Sequence, residues 1–448
     1  MCAWSIETAI KNTKMMSRTV HSPLCTRALA SRPHQAGKRL MIPLCRLTLL
    51  LLLLPLSLMA APQEERMGAR LGYPACESVV NRIECRVGSF SKPHGRQVMR
   101  SESFTPLNTR TESSITPLRN EKLYQRVDAY LREQRTTGLL IIKNGEILFE
   151  RYQYARDKTM QMRSFSMSKT IIALLIGVAL EKGIIQSLDD VVEKYYPALD
   201  DSAFGATTIR NLLQMSSGVR FTEDYSFNRN SDFFKFNQQL SKSKGEADEA
   251  AKAFRLFNER EYPQGLRFRY SSIETALLCK VLMQATQRTI TELTREWLWN
   301  PMGAESDAFW LISAAERTEN CGGGFYATLR DYGRLGILLT NDGKRDDLQV
   351  IPKEFLFMAT DASQQRVAFK PRRATSFFGY GFQTWLFPNK TRTFALLGIY
   401  GQSIFAQPAT GLVMVETGAY EFASDNYSLR QKLQLWASVL EGLGGQND

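Results

Sequence analysis

The stretch Arg163-Ser164-Phe165-Ser166-Met167-Ser168-Lys169-Thr170 runs straight into Ile171-Ile172-Ala173-Leu174-Leu175-Ile176-Gly177-Val178-Ala179-Leu180. A polar cluster gives way to residues that are apolar on nearly every side, until Glu181, Lys182 and Gly183 close the run. A helix that is apolar all round is a buried helix, and a glycine after the last turn supplies a left-handed stop. Ser166 and Lys169 therefore fall three apart in the first turn of a central helix, on one face. At that end the backbone N–H groups and the helix dipole favour a developing oxyanion. A serine hydroxyl is a poor nucleophile until a base takes its proton. A lysine held beside it and partly out of water can have a pKa low enough to do so. The same residues also read as a serine cap followed by a lysine reaching to the surface, and this stretch alone does not choose.

Working outward, Asn144-Gly145 between two apolar runs, over 138–152, is a type I′ hairpin signal. Before it, Leu123, Val127, Tyr130 and Leu131 have helical spacing. From 184 to about 390 the pattern is mostly short helices and loops. Gly322-Gly323-Gly324 fits no phosphate-binding pattern and reads as a tight turn under a packed helix. Strands return over 393–397, 403–407 and 412–417, and an amphipathic helix covers 425–440. Strands at both ends with helices between predict an α/β fold. Its antiparallel sheet is built from both termini and flanked by helices, with a mostly helical inserted domain. The expected organisation is a leader over 1–61, an irregular N-terminal extension over 62–118, and one domain over 119–442 whose insertion spans about 184–390.

The net charge of +12 over 448 residues is unevenly placed. Residues 1–61 hold eight Lys/Arg against the single acid Glu7, so the remainder is an ordinary surface. No basic stripe with interleaved aromatics occurs, and nucleic acid is not an expected partner. Lys38, Arg39 and Arg46 precede an apolar run from Leu47 to Met59 that ends in Ala60-Ala61-Pro62, the pattern of a secretory signal. The run is shorter than the roughly 20 residues that span a bilayer. A membrane anchor through an uncleaved leader is the alternative, and Met15, Met16 or Met41 is the expected translation start. Cys76 and Cys85, nine apart in a polar stretch, form a candidate disulfide in an oxidising compartment. Cys279, in the run Ala276-Leu277-Leu278-Cys279, reads as a buried thiol.

Ser-x-x-Lys occurs three times, at Ser89/Lys92, Ser166/Lys169 and Ser241/Lys244, and only the second opens a buried helix. The three histidines are His21, His34 and His94. A Ser-His-Asp arrangement and a histidine-based zinc site are therefore not expected, nor is a metal or other cofactor. The base for a nucleophilic serine is then lysine or tyrosine. Tyr270, just before the helical run from Ile273 to Met283, is placed to enter a cleft where a cationic lysine would favour its phenolate. Taken alone, it reads by default as a half-buried packing residue. Leu396-Leu397-Gly398-Ile399-Tyr400-Gly401-Gln402 is a strand end whose glycines let a backbone come close, or a bulged hairpin.

Together these stretches resemble the serine β-lactamase and penicillin-binding superfamily, in the branch holding class C β-lactamases, related esterases and 6-aminohexanoate-dimer hydrolases. Ser166-Met167-Ser168-Lys169 matches its SxxK motif. Tyr270-Ser271-Ser272 stands where that branch has Tyr-x-Asn, and Leu396-Leu397-Gly398 where it has Lys-Thr-Gly. The resemblance covers about 120–442. It implies that Ser166 is acylated, that Lys169 and Tyr270 share proton transfer, and that the N–H groups of Ser166 and Ile399 hold the oxyanion. Ser272, Leu396, Gly398 and Tyr400 would lie against substrate. Ser272 replaces an asparagine that positions substrate, and Leu396 replaces a lysine that attracts the β-lactam carboxylate. The implied function is therefore an exported, cofactor-free serine hydrolase that cleaves ester or non-peptide amide bonds in small molecules. A β-lactamase or D,D-peptidase, and a catalytically inactive envelope binding protein, are the alternatives.

Overall fold

Asn120 caps the first helix by accepting the Leu123 N–H, and Leu123, Val127, Tyr130 and Leu131 give that helix one buried face. The computed structural model describes residues 95–109, 120–225, 228–243, 247–312 and 318–448. These open with short strands β1 (Arg96–Val98) and β2 (Asn108–Thr109) and the capped helix α1 (Glu121–Glu133). Strands β3 (Thr136–Lys143) and β4 (Glu146–Tyr152) form the expected hairpin, with Asn144 and Gly145 at φ of 50° and 80° as a type I′ turn requires. After β5 (Gln161–Arg163), a 3-10 turn over Phe165–Met167 leads into α2 (Ser168–Glu181). Every α2 residue from Ser168 to Ala179 is buried, and Gly183 follows at φ 68° as the left-handed stop.

Five helices then pack around α2 in one apolar cluster: α3 (Ile209–Leu213), α4 (Asp232–Ser241), α5 (Ala247–Arg255), α6 (Ser272–Thr286) and α7 (Ile290–Thr294). Strands β6 (Ala308–Trp310) and β7 (Phe325–Thr328) join β1 and β5 in a four-stranded sheet of order β1-β6-β7-β5. Helix α8 (Leu329–Thr340), the ribbon of β8 (Lys344–Arg345) and β9 (Leu348–Gln349), and α9 (Lys353–Thr360) follow. The chain closes with β10 (Gly379–Tyr380), β11 (Trp385–Leu386), β12 (Phe394–Leu397), β13 (Ser403–Gln407), β14 (Leu412–Gly418) and α10 (Asn426–Gly442).

The main sheet has the order β10-β11-β12-β13-β14-β3-β4-β2. Its centre joins the two ends of the domain, since β14 runs antiparallel to β3 with Leu412 opposite Lys143 and Val415 opposite Leu140. Successive side chains on a strand point to opposite faces. Leu139 and Ile141 accordingly pack with α1 and α10, while Leu140 and Ile142 join the cluster of α2 and α8. Both faces are covered, so β3 and β14 are apolar runs without alternation.

Three features differ from what the sequence leads one to expect. Strands β10 and β11 fall inside the stretch read as a helical insertion yet extend the main sheet, and two-residue strands carry no periodicity. Within the stretch read as irregular, β1 pairs with β6 and β2 runs parallel to β4. Cys279 is not a free thiol but is bonded to Cys321, with 6.3 Å between the Cα atoms. Helix α6 and the loop before β7 meet only in the fold, and a separation of 42 in sequence leaves no spacing signal. The leader and the pair Cys76 and Cys85 lie outside the described residues. Among the described residues no helix is long and apolar enough to cross a membrane.

Candidate active site

Strand β5 is pinned to β7, with Arg163 opposite Tyr326, and the Ser164 N–H continues the pairing by donating to the Phe325 carbonyl at 2.7 Å. The chain then turns sharply at Phe165, whose φ of 44° is the left-handed region that bulky residues avoid. Such strain persists only where surroundings enforce it. Here the Arg163 guanidinium lies 4.6 Å from the Phe165 ring centroid and the Tyr400 ring lies 5.3 Å away. The turn leaves Ser166 half-buried in the wall of a cavity of about 530 Å³. Its N–H belongs to the first turn of a helix, where donors have no partner within the helix.

One turn on, Lys169 is buried, and its Nζ donates to Ser166 Oγ at 3.0 Å and to the Gly322 carbonyl at 2.5 Å. Burial draws the lysine pKa down to about 8, against the opposing pull of the Glu223 carboxylate. The glycine run read as a tight turn therefore supplies a carbonyl that fixes the lysine. Tyr270 comes from the approach to α6, with its ring centroid 5.4 Å from Lys169 Nζ. It stacks on Trp385 at 5.6 Å and meets Tyr380 edge-on at 6.3 Å, so β10 and β11 hold it in place. Tyr270 is not among the residues that line the cavity.

Ser272, at the start of α6, does line the cavity, and its N–H and hydroxyl both donate to Glu223, the N–H at 2.9 Å. The Tyr225 hydroxyl donates to the same carboxylate. Glu223 and Tyr225 sit in a loop without periodicity, and no sequence signal marks them. Across the cavity, Ile399 and Tyr400 form part of the wall. Ile399 opens a 3-10 turn, so its N–H is also outside any intrahelical bond. Gly398 lets the end of β12 lie against the nucleophile turn, because a Cβ there would run into the Ser164 carbonyl. Leu396 does not reach the cavity. It is 1% exposed, lies opposite Ile404 on β13, and packs in the main core.

The structure thus brings Ser166, Lys169, Tyr270, Ser272, Ile399 and Tyr400 together and leaves Leu396 in the core. Among the described residues no group of three or more His, Cys, Asp or Glu could hold a metal ion. A hydroxyl, a desolvated amine and two backbone donors around one cavity, with the Tyr270 ring centroid 5.4 Å from that amine, suit acyl transfer: attack, proton removal and oxyanion stabilisation.

The model of the beta-lactamase family matches residues 123–421. A 6-aminohexanoate-dimer hydrolase of Paenarthrobacter ureafaciens is 23% identical over 327 residues, covering 72% of this chain and 81% of that one. A solved structure from Bacillus anthracis, provisionally described as a 6-aminohexanoate-dimer hydrolase, aligns with a TM-score of 0.66 at 19% identity over 81% of this chain and 94% of its own. EstCE1, described as a hydrolase with promiscuous acyltransferase activity, aligns with a TM-score of 0.56 at 19% identity over 72% and 99%.

Proposed function

This chain belongs to the beta-lactamase family, and we propose that it is an exported serine hydrolase cleaving ester or non-peptide amide bonds of small molecules through an acyl-enzyme on Ser166. The observation that carries this is the buried Lys169 nitrogen 3.0 Å from the Ser166 hydroxyl, with its pKa drawn down to about 8. Neutral Lys169 takes the proton as Ser166 Oγ attacks the carbonyl carbon. The N–H groups of Ser166 and Ile399 receive the oxyanion. Collapse breaks the bond to the leaving alcohol or amine, which takes a proton through Lys169 and Tyr270. Water then attacks the acyl ester, its proton returns by the same groups, and the acid leaves with Ser166 restored. Export is proposed from the basic and apolar leader.

The cavity supports the substrate class. Phe233, Phe236 and Leu240 give it an apolar wall, and Ser272, Ala276 and Lys280 line it along one face of α6. From Ser272 to Lys280 the helix rises about 12 Å, enough for a linear chain.

A short-chain nitrophenyl ester, a 6-aminohexanoate oligomer and a chromogenic cephalosporin, assayed side by side, test this. Turnover of the ester or the oligomer should exceed that of the cephalosporin, and the reverse order would reject the proposed substrate class. Tyr270→Phe should lower kcat by roughly 10²-fold on the amide, in line with a general acid–base contribution. The loss should be smaller on the nitrophenyl ester, whose leaving group needs no proton. An amide kcat near the wild-type value would remove Tyr270 from the mechanism.

A further inference from the structure

The turn that carries Ile399 is strained and is held from behind. Tyr400 has a φ of 62° and Gly401 one of 99°, so two successive residues occupy the left-handed half of backbone space. Their peptide groups are pinned individually. The Gly398 N–H donates to the Gln402 carbonyl at 2.9 Å and the Tyr400 N–H to the Ala423 carbonyl at 3.0 Å. The Tyr400 carbonyl accepts from the Tyr420 N–H at 3.2 Å and from Gln402 Nε2 at 3.1 Å. The Gly401 carbonyl accepts from Lys432 Nζ at 2.7 Å. Beneath Gly401 lies the Tyr420 ring, close enough that a Cβ would meet its Cε1 at 2.6 Å.

Both supports of this turn converge on one carboxylate. Glu416, on β14 and fully buried, lies 3.1 Å from Lys432 Nζ and accepts from the Tyr420 hydroxyl at 2.5 Å. Thr136 of β3 and Tyr130 of α1 donate to it at 2.6 and 2.9 Å. Lys432, on α10, is itself buried, and desolvation pulls its pKa down against the opposing effect of Glu416. Replacing a buried ion pair by apolar residues of similar size is often neutral or stabilising, so stability alone does not call for this one. Its geometric effect is specific: it fixes the Gly401 carbonyl and the Tyr420 ring, and through them the direction of the Ile399 N–H.

We propose that Glu416 and Lys432 are positioning residues that hold the Ile399 N–H on the oxyanion. This rests on the reading of Ser166 as the acylated serine. Neither side chain touches substrate, and the effect passes through the backbone of 398–402.

The test compares a nitrophenyl ester with its thiono analogue, whose sulfur is a weaker hydrogen-bond acceptor than oxygen. The double variant Lys432→Met with Glu416→Gln leaves no uncompensated buried charge. It should lower kcat on the oxygen ester about tenfold or more, a fraction of the 10²–10³ lost with a whole oxyanion donor. KM and the thiono rate should change little, so the oxygen-to-thiono ratio falls. Tyr420→Phe, which keeps the ring but removes its hydroxyl from Glu416, should shift the ratio in the same direction by less. It serves where the double variant does not fold. An unchanged ratio in a folded variant would overturn the proposal, as would equal losses on both esters, which mark a purely structural role. A wild-type enzyme whose Ser166 is not labelled by a fluorophosphonate would instead overturn the underlying reading.

Discussion

Ser166→Ala is expected to lower ester turnover by roughly 10⁴-fold or more and to abolish covalent labelling by a fluorophosphonate. Losing the nucleophile of a serine hydrolase removes the acyl-enzyme path and leaves only binding and oxyanion contributions. The size of the loss follows from the site: Lys169 Nζ lies 3.0 Å from Ser166 Oγ, and both line the same cavity. Ser166 is half-buried, so the substitution should leave the fold intact by circular dichroism. Intact-protein mass spectrometry after exposure to the reagent reads the result directly. A label that persists on the alanine variant would place the reactive serine elsewhere and end the mechanism proposed above.

Lys169→Met should separate activity from stability. Turnover should fall by roughly 10²-fold or more as the base is lost. Stability should move the other way. Burial draws the lysine pKa down to about 8 in the folded protein, against the ordinary 10.5 in the unfolded chain. Below pH 8 both states are protonated, and the native state carries the full cost of a buried cation. As pH rises from about 8 to 10.5 the native state loses its proton first, so the unfolded state binds more protons and wild-type stability rises. A shift of this size corresponds to up to about 3 kcal/mol, which the two hydrogen bonds from Nζ partly offset. The variant should therefore unfold at a higher denaturant concentration than wild type at pH 7, with the gap narrowing toward pH 10. The wild-type kcat/KM should rise with pH through about 8 as neutral lysine accumulates, and the variant should lack that limb. A retained limb would assign the titration to another group.

What could be read in advance follows local periodicity. Helix α2 was legible because its apolar residues occupy every side and a polar cluster marks its start, and the β3–β4 hairpin because Asn-Gly allows few other turns. Tyr270 was visible as the residue before a helix. Its supports, Tyr380 and Trp385, were not, because strands of two residues leave no pattern. Glu223 lies in an irregular loop, and only the fold brings it to Ser272 from 49 residues away. Leu396 was misplaced for a related reason. Phe394, Ala395 and Leu396 are all buried, so β12 has no alternation to tell the cavity side from the core side.

The pairing of β3 with β14 also bears on how the molecule is made. Lys143 waits for Leu412, about 270 residues later, which at 5–20 residues per second is roughly 15–50 s of synthesis. From its own synthesis until β14 is made, α2, apolar on every side, is on the nascent chain without the completed sheet that covers it. When Leu412 is added, the SxxK residues and the Ile399 turn have already been translated, yet the Lys432 brace has not. On the proposal above, the Ile399 turn is fully braced only once α10 is made. Before that, the same hydrophobic segment that forms the core is exposed for a holding chaperone to bind.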